Sequence, residues 1–446
     1  MGMKVLVIGS GAREHAIAAT LLKGASVDEV TVAPGNPGME LDGIRTTHID
    51  PSNHAALIEF MQSSGYDWAL VGPEVPLIHG IVDDFREVGL KAFGPTRAAA
   101  QVEGSKDFAK QLMARHAIPT ATYRTFTDYD AAAAYVMEHG APIVIKADGL
   151  AAGKGVTVAL DTQTALGALE DIFVEHRFGN TDLKVVVEEF LEGQEFSLMS
   201  FVNGTEFWPM PISQDHKRAY DGDKGPNTGG MGAYSPVPQI SDDTVEQAIN
   251  TIVRPTLEAL AEEGIPFTGI LYAGLIATDE GPKVIEFNAR FGDPETEAVL
   301  PLLTSDLGKA INAILNDESP TFTWRTDATA LGVVLASDGY PGKPKEGTPV
   351  PAIPTDADSH IYYAGVKTPK HPEGQKTADP ASSTGLVSSS GRVLVYETIA
   401  PTLQAAQSKI YSTLDTLDTP GFFYRRDIGA KALKAVVPDS SETKNQ

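Results

Sequence analysis

The stretch from residue 142 to 158, PIVIKADGLAAGKGVTV, constrains the fold of this chain more than any other. A short apolar run delivers Lys146, and a loop of small residues then leads into a β-branched run that starts at Val156. This order predicts strand, glycine-rich loop and strand, whereas a Walker A loop would enter a helix. Without Cβ atoms, the loop backbone can approach a phosphate chain closely, so we expect a phosphate-binding hairpin. An ordinary polar hairpin turn is the alternative.

Composition narrows the range of partners. The 446 residues carry a formal net charge of −24, which argues against nucleic acid or an anionic membrane as a partner. Since there is no cysteine, disulfides, thiolate catalysis and Fe–S clusters are excluded. The N-terminus enters an apolar strand at once, unlike a signal peptide, and no run reaches the ~18 apolar residues of a membrane span. We expect a cytoplasmic enzyme that holds anionic substrates with local cations.

The N-terminal part predicts a doubly wound, Rossmann-like α/β domain. Strands are expected at 4–8, 30–33, 68–71 and 91–93, each followed by a turn rich in Gly or Pro at one edge of a parallel sheet. In the first turn Glu14 replaces the third glycine of the dinucleotide fingerprint, so a phosphorylated small molecule is a better prediction than NAD. The residues of these turns predicted to bind substrate are Gly9, Gly11, Arg13, Glu14, Asn36, Pro37, Gly38 and Glu74.

Residues around the hairpin predict a nucleotide site. Ser105 is expected to cap a helix over 106–116, and Lys106 in its first turn opposes the usual charge preference, which indicates an anionic partner. The connector at 189–191 can offer its backbone to an adenine edge, although an exposed charged hairpin is the alternative. The residues predicted to bind nucleotide are Lys106, Lys146, Gly149, Gly153, Lys154, Gly155, Glu188, Glu189, Phe190, Leu191 and Glu195.

The predicted strand KVIEFNAR, from residue 283, carries an acid, an amide and a guanidinium in alternation. Glu286, Asn288 and Arg290 therefore share one face, while Ile285 and Phe287 are expected to face the core. The oxygens suit Mg²⁺ bound to phosphates, and Arg290 can neutralise transferred charge. A polar outer sheet face is the alternative, but the acidic loop that follows favours a site.

Changes in composition divide the chain into three domains and a tail. The Rossmann-like domain covers 1–103, and an α+β domain covers 104–328 with a lid at about 120–192. Helices are expected over 243–263 and 401–415, and the glycine-rich stretch 221–234 reads as a long active-site loop. Short strands separated by Gly, Pro and Ser predict a separate small mixed α/β domain over 329–430, and 431–446 is a polar tail.

With these residues assembled, the chain resembles the ATP-grasp ligases, and within them the phosphoribosylamine–glycine ligase family, to about residue 430. The most specific motif is RFGDPETEAVLP from residue 290. GSGAREHA from residue 9, KADGLAAGKGV from 146, NTGGMGAY from 227 and YRRDIG from 424 agree with it. Ala12 stands at a position that is often glycine in the family, which concerns only local loop geometry.

The resemblance implies an ATP-grasp core with a mobile lid and a reaction of de novo purine synthesis. ATP, glycine and 5-phosphoribosylamine would give glycinamide ribonucleotide, ADP and phosphate through a glycyl phosphate. The hairpin 149–155 with Lys106 and Lys146 would hold phosphates, residues 188–191 would meet adenine, and Glu195 the ribose. Glu286 and Asn288 would bind Mg²⁺ or Mn²⁺.

This chemistry needs no protein nucleophile, so catalysis falls to positioning and charge neutralisation. The residues predicted to be catalytic are Arg290, Lys217, Asp215 and Asp293, and Arg290 and Gly292 complete the predicted substrate site. The strand at 269–277 lacks the third acidic metal ligand of many ATP-grasp enzymes. A related ligase or carboxylase with another acceptor, or a catalytically silent nucleotide-binding regulator, are the alternatives. We expect a monomer that acts on small molecules and binds neither nucleic acid nor membrane.

Overall fold

The computed structural model describes residues 2–150, 155–177, 183–369 and 384–436, with the backbone alone at 435 and 436. Within those ranges, no helix combines the length and apolar character that crossing a bilayer requires. A parallel sheet forms the N-terminal part, and antiparallel sheets form the rest. This arrangement confirms the predicted combination of α/β and α+β parts.

The N-terminal sheet is parallel and doubly wound, as predicted. The four predicted strands are present, and the short fifth strand, Arg45–Thr46, carries too few residues for a periodic signal. Val5 to Ile8 are fully buried, so both faces of the sheet are covered. The strands lie in the order Arg45–Thr46, Val27–Pro34, Met3–Gly9, Trp68–Val71 and Ala92–Phe93. The helices are Ala12–Lys23, Pro37–Glu40, His54–Ser64, Glu74–Ile78, Ile81–Glu87 and Gln101–Gly104.

The lid segment is a four-stranded antiparallel sheet with two helices, Tyr129–His139 and Thr162–Phe173. Its apolar side chains, among them Val136, Leu169 and Val187, form a core separate from the rest of the protein. The lid is therefore a unit with its own packing. Its strands lie in the order Tyr123–Phe126, Val185–Glu189, Ile143–Ala147 and Val156–Ala159.

The central sheet faces the lid and contains the strand with the predicted metal ligands. A β-bulge shifts the register there, because Gly274 pairs with Glu286 but Leu275 pairs with Val284. Val284 is therefore buried in the core, and the prediction that Ile285 faces the core was wrong. The strands lie in the order Glu206–Pro209, Gln194–Asn203, Thr268–Thr278 and Gly281–Asn288.

The helix predicted over 243–263 is interrupted. It consists of Asp242–Ala248, a π-helical turn at Ile249–Val253, and Arg254–Glu262. Pro255 has no N–H to donate back along the helix, and the wider turn just before it accommodates that loss. The other helical segments are Lys106–Arg115, Glu295–Val299, Leu300–Leu302, Leu307–Ile314, Leu403–Leu414 and Ala430–Val436.

The C-terminal sheet is shared between two of the predicted domains. Gln214–Asp215 and Gly232–Ser235 belong to the preceding segment, yet they extend the sheet beside Thr329–Ser337. The sheet of the C-terminal segment is therefore continuous with strands from the segment before it. The rest of the sheet consists of Arg392–Ala400, Ser359–Tyr363 and Phe422–Phe423.

Two sequence expectations about irregular segments also change. The stretch 221–234, predicted to be a loop, contains Lys224–Asn227, which pairs with Arg218–Tyr220 in a hairpin. The predicted polar tail begins with helical residues, since a helix covers Ala430–Val436. A further short antiparallel pair is formed by Val366–Lys367 and Val387–Ser388.

Candidate active site

Two of the predicted phosphate-binding lysines lie where the lid meets the central sheet. Lys106, the first residue of its helix, donates to the Gly149 carbonyl at 2.8 Å, which joins the helix start to the hairpin. Lys146 is the last residue but one of its strand and donates to the Ile285 carbonyl, also at 2.8 Å. Gly149 has a φ of +86°, which favours glycine. Among the other residues predicted for the hairpin, Gly155 directly precedes the second strand, Val156–Ala159. Gly153 and Lys154 lie outside the described residues.

Glu188 lies between two buried lysines. Its Oε1 is 2.9 Å from the ammonium of Lys146, and its Oε2 is 3.0 Å from that of Lys110. All three side chains are nearly inaccessible to solvent. The side chain of Glu188 is thus engaged within the protein, and the predicted contact with adenine falls to the backbone of the connector.

Glu286 is surrounded by cations. Its Oε1 lies 3.4 Å from the ammonium of Lys217. Burial alone would raise its pKa, but Lys217, Lys146, Lys106 and Arg290 together lower the pKa to about 2. The carboxylate is therefore ionised at any physiological pH, and the positive charge around it exceeds its own.

Arg290 is held by two carboxylates and one amide. Its guanidinium lies 3.3 Å from Glu74, 2.8 Å from Glu103 and 3.1 Å from the Asn288 side-chain oxygen. Although burial disfavours the charged form, Glu103 and Glu74 raise the pKa of Arg290. The structure thus brings predicted metal, substrate and catalytic residues together, and it adds Glu103, which the sequence analysis did not select.

Asp215 and Lys217 lie beside a buried carboxylate. Burial and the neighbouring Glu295 raise the pKa of Asp215 well above its usual value, although Lys217 opposes this. Glu295 accepts hydrogen bonds from the Tyr272 hydroxyl at 2.5 Å and the Ser197 hydroxyl at 3.3 Å. Two carboxylates, those of Asp215 and Glu295, therefore lie close together in a buried environment.

The loop after Arg290 is fixed from the C-terminal sheet. Arg392 contacts the Asp293 carboxylate at 2.9 Å and donates to the Gly229 carbonyl at 2.8 Å. A Cβ at Gly292 would lie 2.6 Å from a Glu295 oxygen, so the position has no room for a side chain. Farther along, Glu297 is fully buried with no hydrogen-bond partner among the described residues, and burial raises its pKa well above the usual value.

The first N-terminal turn is organised by Glu14. Its carboxylate accepts from the Gly11 N–H at 2.6 Å and from the Arg13 guanidinium at 2.6 Å, and it is buried. A Cβ at Gly9 would lie 2.5 Å from Glu14. Arg13 also donates to the Phe291 carbonyl at 3.1 Å, so this turn is tied to the loop after Arg290.

The second turn is tied to the C-terminal sheet. The Asn36 amide donates to the carbonyls of Ser10 at 2.8 Å and Tyr363 at 3.0 Å, and its oxygen accepts from the Gly38 N–H. Pro37 starts the short helix Pro37–Glu40, and the Tyr363 ring leaves no space for a side chain at Gly38. All polar atoms of the Asn36 side chain are thus engaged within the protein.

His15, Asp42 and His360 lie close enough to hold a metal ion, but their hydrogen bonds oppose it. The Tyr363 N–H lies 2.9 Å from Nδ1 of His15 and must be the donor. The neutral ring therefore carries its proton on Nε2, which donates to Asp42 at 2.8 Å. This cluster fits a hydrogen-bonded contact between two parts of the chain.

The connector predicted to meet adenine borders a cleft of about 450 Å³. Glu189, Phe190 and Leu191 form one wall, and the turn around Asp279 forms the other. The Glu189 carboxylate accepts from the Thr122 N–H at 2.9 Å. Glu195 is exposed on the next strand, Gln194–Asn203.

Comparison with known proteins shows first the class of this fold. The chain has a TM-score of 0.69 to the biotin carboxylase domain of the Hydrogenobacter thermophilus 2-oxoglutarate carboxylase, at 16% identity over 98% of this chain and 95% of that one. Residues 104–296 match the ATP-grasp (A) domain model of phosphoribosylglycinamide synthetase. Fold and site thus define an ATP-grasp enzyme, a class that uses ATP with a divalent metal ion.

The match extends over all three segments. Models of the N and C domains of phosphoribosylglycinamide synthetase match residues 3–103 and 330–431. A phosphoribosylamine–glycine ligase of Streptococcus pneumoniae is 53% identical over 97% of this chain and 100% of its own. The crystal structure of a phosphoribosylamine–glycine ligase from Thermotoga maritima has a TM-score of 0.79 and 32% identity, covering 96% of this chain and 100% of that one. The chain belongs to the phosphoribosylglycinamide synthetase family and is a ligase that forms a C–N bond.

Three residues at the site escaped the sequence analysis. Lys110 could have been found, because it follows Lys106 by four residues and so lies on the same helix face. Glu103 and Arg392 gave no local signal, since their partners Arg290 and Asp293 lie far away in the sequence. The roles assigned to the predicted site residues stay predictions.

Proposed function

We propose that this chain joins glycine to 5-phospho-D-ribosylamine, converting ATP to ADP and phosphate and giving glycinamide ribonucleotide in de novo purine biosynthesis. The observation that supports this most strongly is the group of four cations around Glu286, namely Lys106, Lys146, Lys217 and Arg290. In a chain of net charge −24, a cluster of four cations around one carboxylate suits the phosphates of a triphosphate. The relatives that match over the whole chain carry the name of this reaction.

Glu286 and Asn288 are the residues we propose for the metal, Mg²⁺ or Mn²⁺. A carboxylate that stays ionised and an amide oxygen are hard oxygen donors, which these ions prefer. The Asn288 side-chain oxygen accepts a hydrogen bond from Arg290, and this bond fixes the orientation of the amide. When bound, the metal would neutralise phosphate charge.

The proposed reaction has two steps. The residues of this chain position the substrates and neutralise the charge that is transferred. A glycine carboxylate oxygen attacks the γ-phosphorus, and ADP leaves, so that glycyl phosphate forms. The amine of 5-phosphoribosylamine then attacks the carbonyl carbon, phosphate leaves, and the nitrogen loses a proton. Lys217 and Arg290 would neutralise the transferred charge, and Asp215 would lie near the glycine. Lid closure would exclude water from the acyl phosphate.

The remaining assignments follow the same proposal. Phosphates would lie against Lys106, Lys146 and the hairpin, adenine against the connector 189–191, and the ribose hydroxyls against Glu195. The turns around Gly11, Gly38 and Glu74, with Gly292, would take the ribose phosphate substrate. We also propose a cytoplasmic monomer with domains at 1–103, 104–328 and 329–430.

An ADP-release assay with the purified full chain tests the reaction. Phosphoribosylamine, formed in place from ribose 5-phosphate and ammonia, is supplied with ATP, Mg²⁺ and glycine, and parallel reactions replace glycine by bicarbonate or D-alanine. We expect ADP release in the reaction that contains glycine and not in those that contain bicarbonate or D-alanine. The glycine reaction should also give a product with the mass of glycinamide ribonucleotide. Turnover with bicarbonate or D-alanine but not glycine would instead identify a related enzyme with another acceptor.

A further inference from the structure

Lys110 is a buried lysine to which the proposed reaction gives no task. It lies one helical turn after Lys106, on the same face of Lys106–Arg115, but only 2% of its surface is exposed. Its ammonium is 2.8 Å from the Thr120 hydroxyl and 3.4 Å from the Ala121 carbonyl. With a third partner, named below, these two groups use all three N–H donors of the ammonium, so Lys110 cannot itself contact a nucleotide.

The contacts of Lys110 lead directly to a residue that can. Its third partner is Glu188 at 3.0 Å, and the other oxygen of Glu188 is 2.9 Å from Lys146. Among the described residues, that second oxygen has no hydrogen-bond partner of good geometry, so Lys146 is held there by charge. The directional bond of Lys146 goes to the Ile285 carbonyl.

The three side chains Lys110, Glu188 and Lys146 form a row of alternating charge, and this order has a consequence for Lys146. If Glu188 faced Lys146 alone, the two charges would cancel, and the ammonium would be drawn down onto both carboxylate oxygens. With Lys110 on the far oxygen, the row keeps one net positive charge, at the end that faces the site. Opposite charges interact strongly in a buried environment, so this balance matters more here than at the surface.

We propose that Lys110 is a positioning residue for nucleotide binding, which holds Glu188 so that Lys146 keeps its charge and direction for the phosphate chain. This inference rests on the proposed placement of ATP phosphates at Lys146. Burial lowers the pKa of Lys110 to about 8 while Glu188 opposes the shift, so Lys110 is mostly charged at neutral pH.

The test is the affinity for the non-hydrolysable ATP analogue AMP-PNP with Mg²⁺, measured by calorimetry on the full chain. Lys110→Met should raise its Kd about tenfold, the size expected when one charged hydrogen-bond partner is lost. Binding of adenosine, measured by competition, should change less than twofold, because adenosine has no phosphate. A merely structural lysine would affect both ligands alike, and that result would overturn the proposal.

A second pair of variants shows whether Lys110 acts through Glu188. In a Glu188→Gln background, adding Lys110→Met should change the Kd of AMP-PNP less than threefold, since there is no carboxylate left to position. A tenfold loss in that background would mean that Lys110 acts independently, against the proposal. This pair also decides the matter if Lys110→Met alone does not fold, because the double variant leaves no unpaired carboxylate.

Lys409→Met is the matched control, since it removes another ion-paired lysine, 2.8 Å from Asp356, in the C-terminal segment. It should leave the Kd of AMP-PNP unchanged. All these measurements concern binding alone. A wild-type protein that binds AMP-PNP but releases no ADP with glycine would therefore refute the proposed reaction without touching this inference.

Discussion

The ionisation of Glu286 is set by its neighbours, and this decides what the residue can do. Three lysines and Arg290 keep its pKa at about 2 although the side chain is partly buried. Such a carboxylate is a poor general base but a permanent anion for a metal ion. The Lys217 contact at 3.4 Å leaves its oxygens room for other ligands.

Replacing Glu286 by alanine should lower turnover at least ~10²-fold while the fold persists, because a hard ligand is lost but no apolar core is disturbed. The measurement is ADP release at saturating substrates, with thermal unfolding in parallel. Glu346→Ala, which removes an exposed carboxylate paired with Lys367 in the C-terminal segment, serves as control and should retain activity. Near-normal turnover of Glu286→Ala would refute the metal assignment.

Single residues of the site were largely predictable, whereas their partners were not. Alternation along one strand identified Glu286, Asn288 and Arg290 as neighbours, because side-chain direction follows from strand geometry. The bulge beside Gly274 lay beyond prediction, since it depends on pairing with a second strand. The contact of Arg392 with the Asp293 carbonyl joins residues 99 positions apart, and no periodic pattern reports such a pair.

At the scale of elements, the hairpin after Lys217 is held by the C-terminal segment. Arg425 is almost fully buried and contacts Asp427, Asp223 and the Arg218 carbonyl. The glycine content of 221–234 predicted a loop, but backbone pairing and this arginine override the local preference. The YRRDIG motif therefore supports the strand Arg218–Tyr220, which directly follows Lys217.

His216 sits at this junction and must stay neutral. It accepts from the Gly429 N–H at 3.2 Å, and its other nitrogen is 3.3 Å from the Gly232 carbonyl. Burial, with Arg425 nearby, lowers its pKa from 6.5 to about 4. Because the folded pKa lies below the ordinary value, the neutral ring stabilises the fold fully above pH 6.5, and this contribution is lost as the pH falls toward 4.

We therefore expect His216 to account for about 2 kcal/mol of the unfolding free energy lost between pH 7.5 and pH 5. His216→Gln keeps a donor and an acceptor but cannot titrate, so its stability should depend on pH less than that of the wild type by this amount. Urea unfolding at the two pH values measures the difference. His139→Gln, at an exposed helix end, should keep the wild-type dependence; equal pH dependence in His216→Gln and wild type would contradict the expectation.

At the scale of the whole molecule, the site is closed by contacts between the N-terminal turns and the C-terminal sheet. Asn36 and His15 both bind the backbone of Tyr363, one through its carbonyl and the other through its N–H. The sequence could predict each sheet from its own periodicity, but it could not predict that two sheets meet here. From the sequence alone, Asn36 is therefore predicted to bind substrate, because its partners within the protein cannot be recognised there.

Asn36→Asp tests this structural role. The carboxylate can still accept from the Gly38 N–H, but it cannot donate to the carbonyls of Ser10 and Tyr363, and it would place a charge among them. We expect a loss of about 2–3 kcal/mol in the free energy of unfolding, measured in urea. Asn53→Asp is the control, since that exposed helix cap only accepts a hydrogen bond, from Ala56, and should change stability little. A stable Asn36→Asp with a raised KM for phosphoribosylamine would instead favour direct substrate binding.

Arg392 joins the C-terminal sheet to two loops beside Asp215, those that contain Gly229 and Asp293. One guanidinium nitrogen contacts both the Gly229 carbonyl and Asp293, and burial does not remove its charge, since Asp293 raises the pKa of Arg392.

A lysine in place of Arg392 would keep the charge but not the planar, forked set of donors. Arg392→Lys should therefore lower kcat/KM for glycine about tenfold, as expected when one positioning hydrogen bond is lost, while the Kd of AMP-PNP stays within twofold. Arg325→Lys, which alters an exposed pair with Asp327, should change neither. Equal losses in glycine and nucleotide affinity would show that Arg392 supports the fold at large rather than the loops at the amino-acid end of the site.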